Sequence, residues 1–211
     1  MRLNKLKALV SAFAIVTVVL GTAGCSGAVP NQAITSTAVT TISSTTSTPA
    51  TNIVQDGVIT AGEYKNTQTY DNGNMEVHWS NDGSHVYFAI KAKTAGFVAV
   101  GIQPETTMRN ADIIFGYVSE GKAQVFDLFS TAAFGPHLPD TDTGGKDDIL
   151  SFGGKEEDGF TVIEFKRLLG TEDSKDIALA FGSNKIIWAY GSSDSFDIKH
   201  SSKGYGQITI Q

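Results

Sequence analysis

The chain has 211 residues, 41% of them hydrophobic and 18% charged, with a formal net charge of −6. This composition excludes a fully disordered chain and a protein that crosses a membrane many times. All 22 acids but only 13 of the 16 Lys and Arg follow residue 52, so that part carries a net charge of −9. Such a surface disfavours nucleic acid, whose phosphates need clustered Lys and Arg, and is repelled by anionic lipid headgroups. The single cysteine, Cys25, excludes an intramolecular disulfide and Cys-rich zinc or iron–sulfur sites.

Residues 1–24 read as a secretory signal peptide. Arg2, Lys5 and Lys7 precede an apolar run of 13 residues, Ala8 to Leu20, and small residues lead up to Cys25. The run is too short to span a bilayer comfortably as a mature helix. Ala23-Gly24-Cys25 resembles a lipobox, which implies export, lipidation of Cys25 and anchoring of the mature chain to the membrane by that group. Residues 25–52 are uncharged and rich in Ser and Thr. They cannot bury enough apolar surface to offset the entropy of ordering and read as a disordered tether.

Residues 53–211 read as one all-β domain, an antiparallel sandwich of immunoglobulin-like two-sheet architecture with about ten strands. Met75–Trp79 and Val86–Ile90 alternate around Asn81-Asp82-Gly83, predicting a hairpin. Gly96–Ile102 predicts a buried strand. Asp112–Val118 and Lys122–Phe129 flank Glu120-Gly121, predicting a second hairpin. Further strands are expected at 149–152, 160–165, 177–181, 186–190 and 207–210, with a short turn at 167–170.

Few residues suggest chemistry. His78 and His85 alternate with apolar neighbours and are expected to face solvent. His137 lies between Pro136 and Pro139, and His200 lies in a Ser/Gly-rich loop. Met75 reads as core, whereas Met108 stands in a polar loop, Pro104 to Asn110, with nothing obvious to bury. The carboxylates from Asp140 to Asp148 could hold calcium but lack the rest of an EF-hand pattern, so a solvated acidic loop is expected. No Gly-x-Ser-x-Gly elbow, His-Glu-x-x-His pair or phosphate loop is present, and no catalytic constellation emerges.

Several stretches together resemble the DOMON domain family. They are the opening Asp56–Tyr64, then Gly96-Phe-Val-Ala-Val-Gly101, Met108-Arg-Asn-Ala-Asp112 with Ile113–Val118, Val125–Ser130, Phe160–Arg167, Ile186–Gly191, and His200 before Gly204. The resemblance implies a sandwich that binds b-type haem or sugar. In the haem-binding branch, similar to the cytochrome domain of cellobiose dehydrogenase, it implies Met108 and His200 as axial ligands of haem b held without covalent attachment. Both axial positions would be filled, which suits electron transfer to or from a redox protein partner, a basic one given the acidic domain. Bringing both ligands to one iron is expected to need their loops at the same end of the sandwich. The alternative is a carbohydrate-binding surface module using Trp79 or Trp188 as an exposed stacking platform.

Overall fold

The computed structural model describes residues 53–195 and 197–211. The expected signal peptide, Cys25 and the tether lie outside the described residues. Among the described residues, eleven strands run in chain order: β1 (Asn66–Tyr70), β2 (Met75–Asn81), β3 (His85–Ala92), β4 (Val98–Ile102), β5 (Ala111–Ser119), β6 (Lys122–Ser130), β7 (Leu138–Pro139), β8 (Ser151–Glu157), β9 (Phe160–Leu168), β10 (Gly182–Tyr190) and β11 (Ser202–Ile210). They form two antiparallel sheets, one of five strands ordered β1-β2-β3-β9-β8 and one of six ordered β11-β10-β4-β5-β6-β7. Both expected hairpins form, β2–β3 and β5–β6. Glu120 and Gly121 have φ of 53° and 73°, the left-handed pair that matches strand twist in a two-residue hairpin turn.

The sheets pack over one main core. Met75, Val77, Phe88, Ile90, Ile163 and Phe165 of the five-stranded sheet meet Val98, Val100, Ile114, Ile186 and Ile208 of the other. The opening motif closes the outer side of the five-stranded sheet. The buried Glu164 carboxylate accepts the Tyr64 hydroxyl at 2.7 Å and the amides of Asp56 and Gly57 at 3.0 and 2.6 Å. Gly57 sits at φ +82° against the backbone of Gly154, where no side chain fits.

Several expectations are corrected. β1 is an additional strand; its sequence Asn-Thr-Gln-Thr-Tyr carries no apolar alternation because it is a polar edge strand. Residues 177–181 are not a strand. Leu179 still packs in the core, but the Ile177 amide donates to Asp112 and the Ala180 amide to the Asn184 side chain, in place of a ladder. Arg167 belongs to β9 rather than to a turn. Trp79 and Trp188 are 5% and 7% exposed, so neither is a surface platform. Trp79 donates its indole N–H to the Thr209 carbonyl, and Trp188 stacks on Tyr70.

His78 is also buried, not solvent-facing. Thr67 Oγ1 lies 2.8 Å from its Nδ1, Glu76 Oε2 lies 3.0 Å from its Nε2, and Tyr64 and Lys91 stand nearby. Burial lowers its pKa below the ordinary 6.5, against the opposing pull of Glu76. The folded chain therefore holds this proton less readily than the unfolded chain does. The stability that follows is complete above about pH 6.5 and is lost as pH falls below it. His78→Gln is expected to flatten the fall in urea midpoint between about pH 7.5 and 5.5, one unit either side of the ordinary histidine pKa. An unchanged slope would show that His78 carries no part of it.

Candidate functional site

The outer face of the six-stranded sheet is apolar although no second sheet lies over it, and Phe97, Ile113, Phe115 and Leu128 on it are buried. Alternation explains it. Ile114 and Val118 of β5 point into the main core, which sends Ile113, Phe115 and Tyr117 outward. Strand register then lines up two outer rows: Ile187, Gly101, Ile113 and Leu128, and beside them Ala189, Ala99, Phe115 and Phe126. Phe97 stacks on Phe115 at 4.4 Å, and Tyr117 on Phe126 at 5.8 Å. A Cβ at Gly101 would fall 2.6 Å from Ile187 Cγ1, so only glycine lets Ile187 and Ile113 close over β4.

Met108 lies half-buried in the β4–β5 loop, where the Ala111 amide donates to its carbonyl at 3.0 Å. His200 lies half-buried in the β10–β11 loop. Because β4 is antiparallel to both β5 and β10, the two loops leave the sheet at opposite ends: Ile102 pairs with Asp112 at one end, and Tyr190 pairs with Val98 at the other. This corrects the expectation of a shared end. The five residues of β4 span about 13 Å between the two loops.

A third residue joins the face that the sequence left unassigned. The His137 ring lies 6.3 Å from the Phe115 ring, and its Nδ1 is buried with no hydrogen-bond partner. Burial lowers the pKa of both His137 and His200. At His200, Lys203, Lys199 and His137 add to the effect. Both rings are therefore neutral at pH 7, with a lone pair free to bind a metal or accept a hydrogen bond. His85 is elsewhere, beside Asp82 in the β2–β3 turn at 3.2 Å. A separate cavity of about 560 Å³ opens at the sandwich edge, between Tyr70 and Gln68 of β1 in one sheet, the exposed Tyr205 of β11 in the other and the loop Pro104–Thr107. It contains neither Met108 nor His200.

A second constellation was missed in the sequence. Arg167, fully buried, donates to Asp112 at 2.7 Å, with Asp127, Asp140 and Asp176 around it. Asp140 is 1% exposed, so the 140–148 loop is not simply solvated, although Asp142 and Asp147 are exposed. The readable signal was parity. Asp112 shares the core-facing side of β5 with Ile114 and Val118, where a carboxylate demands a partner. Among the described residues, no helix is long and apolar enough to cross a membrane.

Comparison with known proteins agrees with this architecture. The chain is 31% identical over 123 residues to human DBH-like monooxygenase protein 1, and 31% identical over 121 residues to MOXD1 homolog 1 of Drosophila melanogaster. These alignments cover 58% and 55% of the chain but only 19% and 17% of the relatives, so the chain spans about a fifth of their length. The cytochrome domain of Myriococcum thermophilum cellobiose dehydrogenase superposes with a TM-score of 0.52 at 13% identity, covering 78% of this chain and 86% of that one. The cytochrome b domain of Coprinopsis cinerea pyranose dehydrogenase gives 0.51 at 14%, covering 67% and 80%. Residues 71–191, more than half of the chain, match the DOMON domain model, and the chain belongs to the DOMON domain family.

Proposed function

We propose that the domain is a b-type cytochrome module that holds haem b non-covalently through Met108 and His200 and passes electrons to or from a redox partner. The observation that carries the reading is an apolar outer sheet face flanked at its two ends by a thioether loop and a neutral imidazole. The residues present fit the group: Met108 and His200, on loops at the two ends of one apolar sheet face, would hold it through a thioether and a neutral imidazole. The buried, unpartnered Nδ1 of His137 beside Phe115 is a polar atom that a bound group would satisfy. When bound, the haem would supply a one-electron couple with no open coordination site, its potential raised by the thioether relative to two imidazoles. The protein's own part is to exclude water with Phe97, Phe115 and Ile113 and to keep His200 neutral. We further propose export, a lipidated Cys25 that anchors the chain to the bilayer, and a basic partner attracted by the acidic domain.

The test is an absorption spectrum of the full chain produced with haem supply. Low-spin bands that sharpen on reduction are expected; a chain that takes up no haem sinks the cytochrome reading. In that event the cavity beside the exposed Tyr205 favours the carbohydrate reading, and Tyr205→Ala should then abolish retention on a polysaccharide column. For the anchor, Cys25→Ser is expected to move the protein from the membrane fraction to the soluble one. A variant as membrane-bound as its parent removes the lipid anchor from the account.

A further inference from the structure

The end of the sandwich where β5 begins gathers aspartates from separate segments. Asp112 lies in β5, Asp127 in β6, Asp140 in the short helical turn Asp140–Asp142, and Asp176 between β9 and β10. One oxygen from each of Asp112, Asp127 and Asp176 lies within 4.8 Å of the others. Hydrogen bonds leave this set incomplete. Asp112 Oδ2 accepts from Arg167 Nη1 at 2.7 Å and from the Ile177 amide at 2.8 Å, and Asp127 Oδ2 accepts from the Asp148 amide at 3.0 Å. Asp112 Oδ1, Asp127 Oδ1 and both oxygens of Asp176 have no hydrogen-bond partner. Arg167 Nη2 reaches Asp176 Oδ2 only as an ion pair at 3.4 Å.

A second observation points the same way. Asp140, outside that trio and 1% exposed, has both carboxylate oxygens buried and unpartnered, and the charges of Asp112 and Asp176 act on it directly. One guanidinium cannot neutralise four buried carboxylates, and leaving their oxygens empty costs on the order of 1–3 kcal/mol per group or more. The set holds oxygen only, with no imidazole or thiolate, which fits a hard cation and not zinc or copper. Converging carboxylates from irregular segments suit calcium, which takes about 6–8 oxygens in flexible geometry. They suit magnesium poorly, since it demands a near-ideal octahedron and retains water.

We propose that Asp112, Asp127 and Asp176, completed by Asp140, form a structural calcium site. The ion would tie the ends of β5 and β6 to the 140–148 loop and to the strandless segment before β10. The proposal is independent of haem. The test uses the full chain stripped with chelator and titrated with calcium chloride by calorimetry, with thermal unfolding in parallel. One calcium per chain is expected, with a rise in Tm of about 5–10 °C when calcium exceeds its Kd about 100-fold. Asp127→Asn and Asp140→Asn should lose both the heat and the shift. Asp142→Asn, on the exposed side of the same turn, should keep them. A parent Tm unmoved by about 10 mM calcium, above the range of the weakest extracellular sites, overturns the proposal. So does loss of binding in Asp142→Asn with Asp140→Asn intact, which would assign the ion to the exposed loop. An equal response to magnesium overturns the choice of calcium. Should Asp127→Asn fail to fold, Asp140→Asn and the parent stoichiometry decide.

Discussion

His200→Ala is expected to lose most of its haem, whereas Met108→Ala should keep haem with an altered spectrum and a lower potential. The asymmetry follows from ligand strength. Imidazole is the stronger iron ligand and here is held neutral by burial and by neighbouring Lys203. A thioether binds weakly and mainly raises the potential, so its loss shifts the couple more than the occupancy. His78→Ala and His85→Ala are controls, because His78 is bonded to Thr67 and Glu76 and His85 stands beside Asp82, both far from the outer face. His137→Ala is the decisive companion. With Met108 and His200 as ligands, removing His137 changes the surroundings of the haem but leaves its low-spin bands. If His137→Ala abolishes those bands while Met108→Ala leaves them unchanged, His137 is the second ligand and the assignment of Met108 fails. Unaltered bands in His200→Ala remove the assignment altogether.

The two-sheet sandwich was legible because its strands obey simple parity: Met75, Val77 and Trp79 alternate inward, and so do Val86, Phe88 and Ile90. Turn chemistry gave both hairpins, since Asn-Asp-Gly and Glu-Gly supply residues that tolerate left-handed backbone. What parity could not give is what covers each face. His78 faces away from the main core, yet Tyr64 and the opening segment fold over it, a tertiary contact invisible in the strand itself. The same limit hid the fate of Trp188. An aromatic in an alternating strand fits a core or a surface platform equally well until the opposite sheet is placed. Met108 and His200 were visible as isolated residue types. Their approach from opposite ends depended on β4 lying between β5 and β10, and strand order is not written in local sequence.

Arg167→Met is expected to destabilise the chain by about 3–5 kcal/mol, the usual cost of removing one partner of a buried ion pair. Arg167 is wholly buried in β9 and touches Asp112 at 2.7 Å and Asp176 at 3.4 Å, with Asp127 and Asp140 nearby. Methionine fills much of the volume, so the loss is mainly one of charge compensation and not of packing. Without the guanidinium, carboxylates already disfavoured by burial repel one another unscreened; Asp127 is pushed up to about 8 even with Arg167 present, by burial first and then by Asp112 and Asp176. The urea midpoint in chelator should therefore fall as pH rises from about 4 towards that value, because each carboxylate that loses its proton there adds an uncompensated buried charge. Calcium should restore a large share of the loss, because a divalent ion among Asp112, Asp127 and Asp176 supplies the positive charge that Arg167 no longer provides. A cost below about 1 kcal/mol in chelator would mean that the carboxylates are neutral in the folded chain and that the ion pair carries little of its stability.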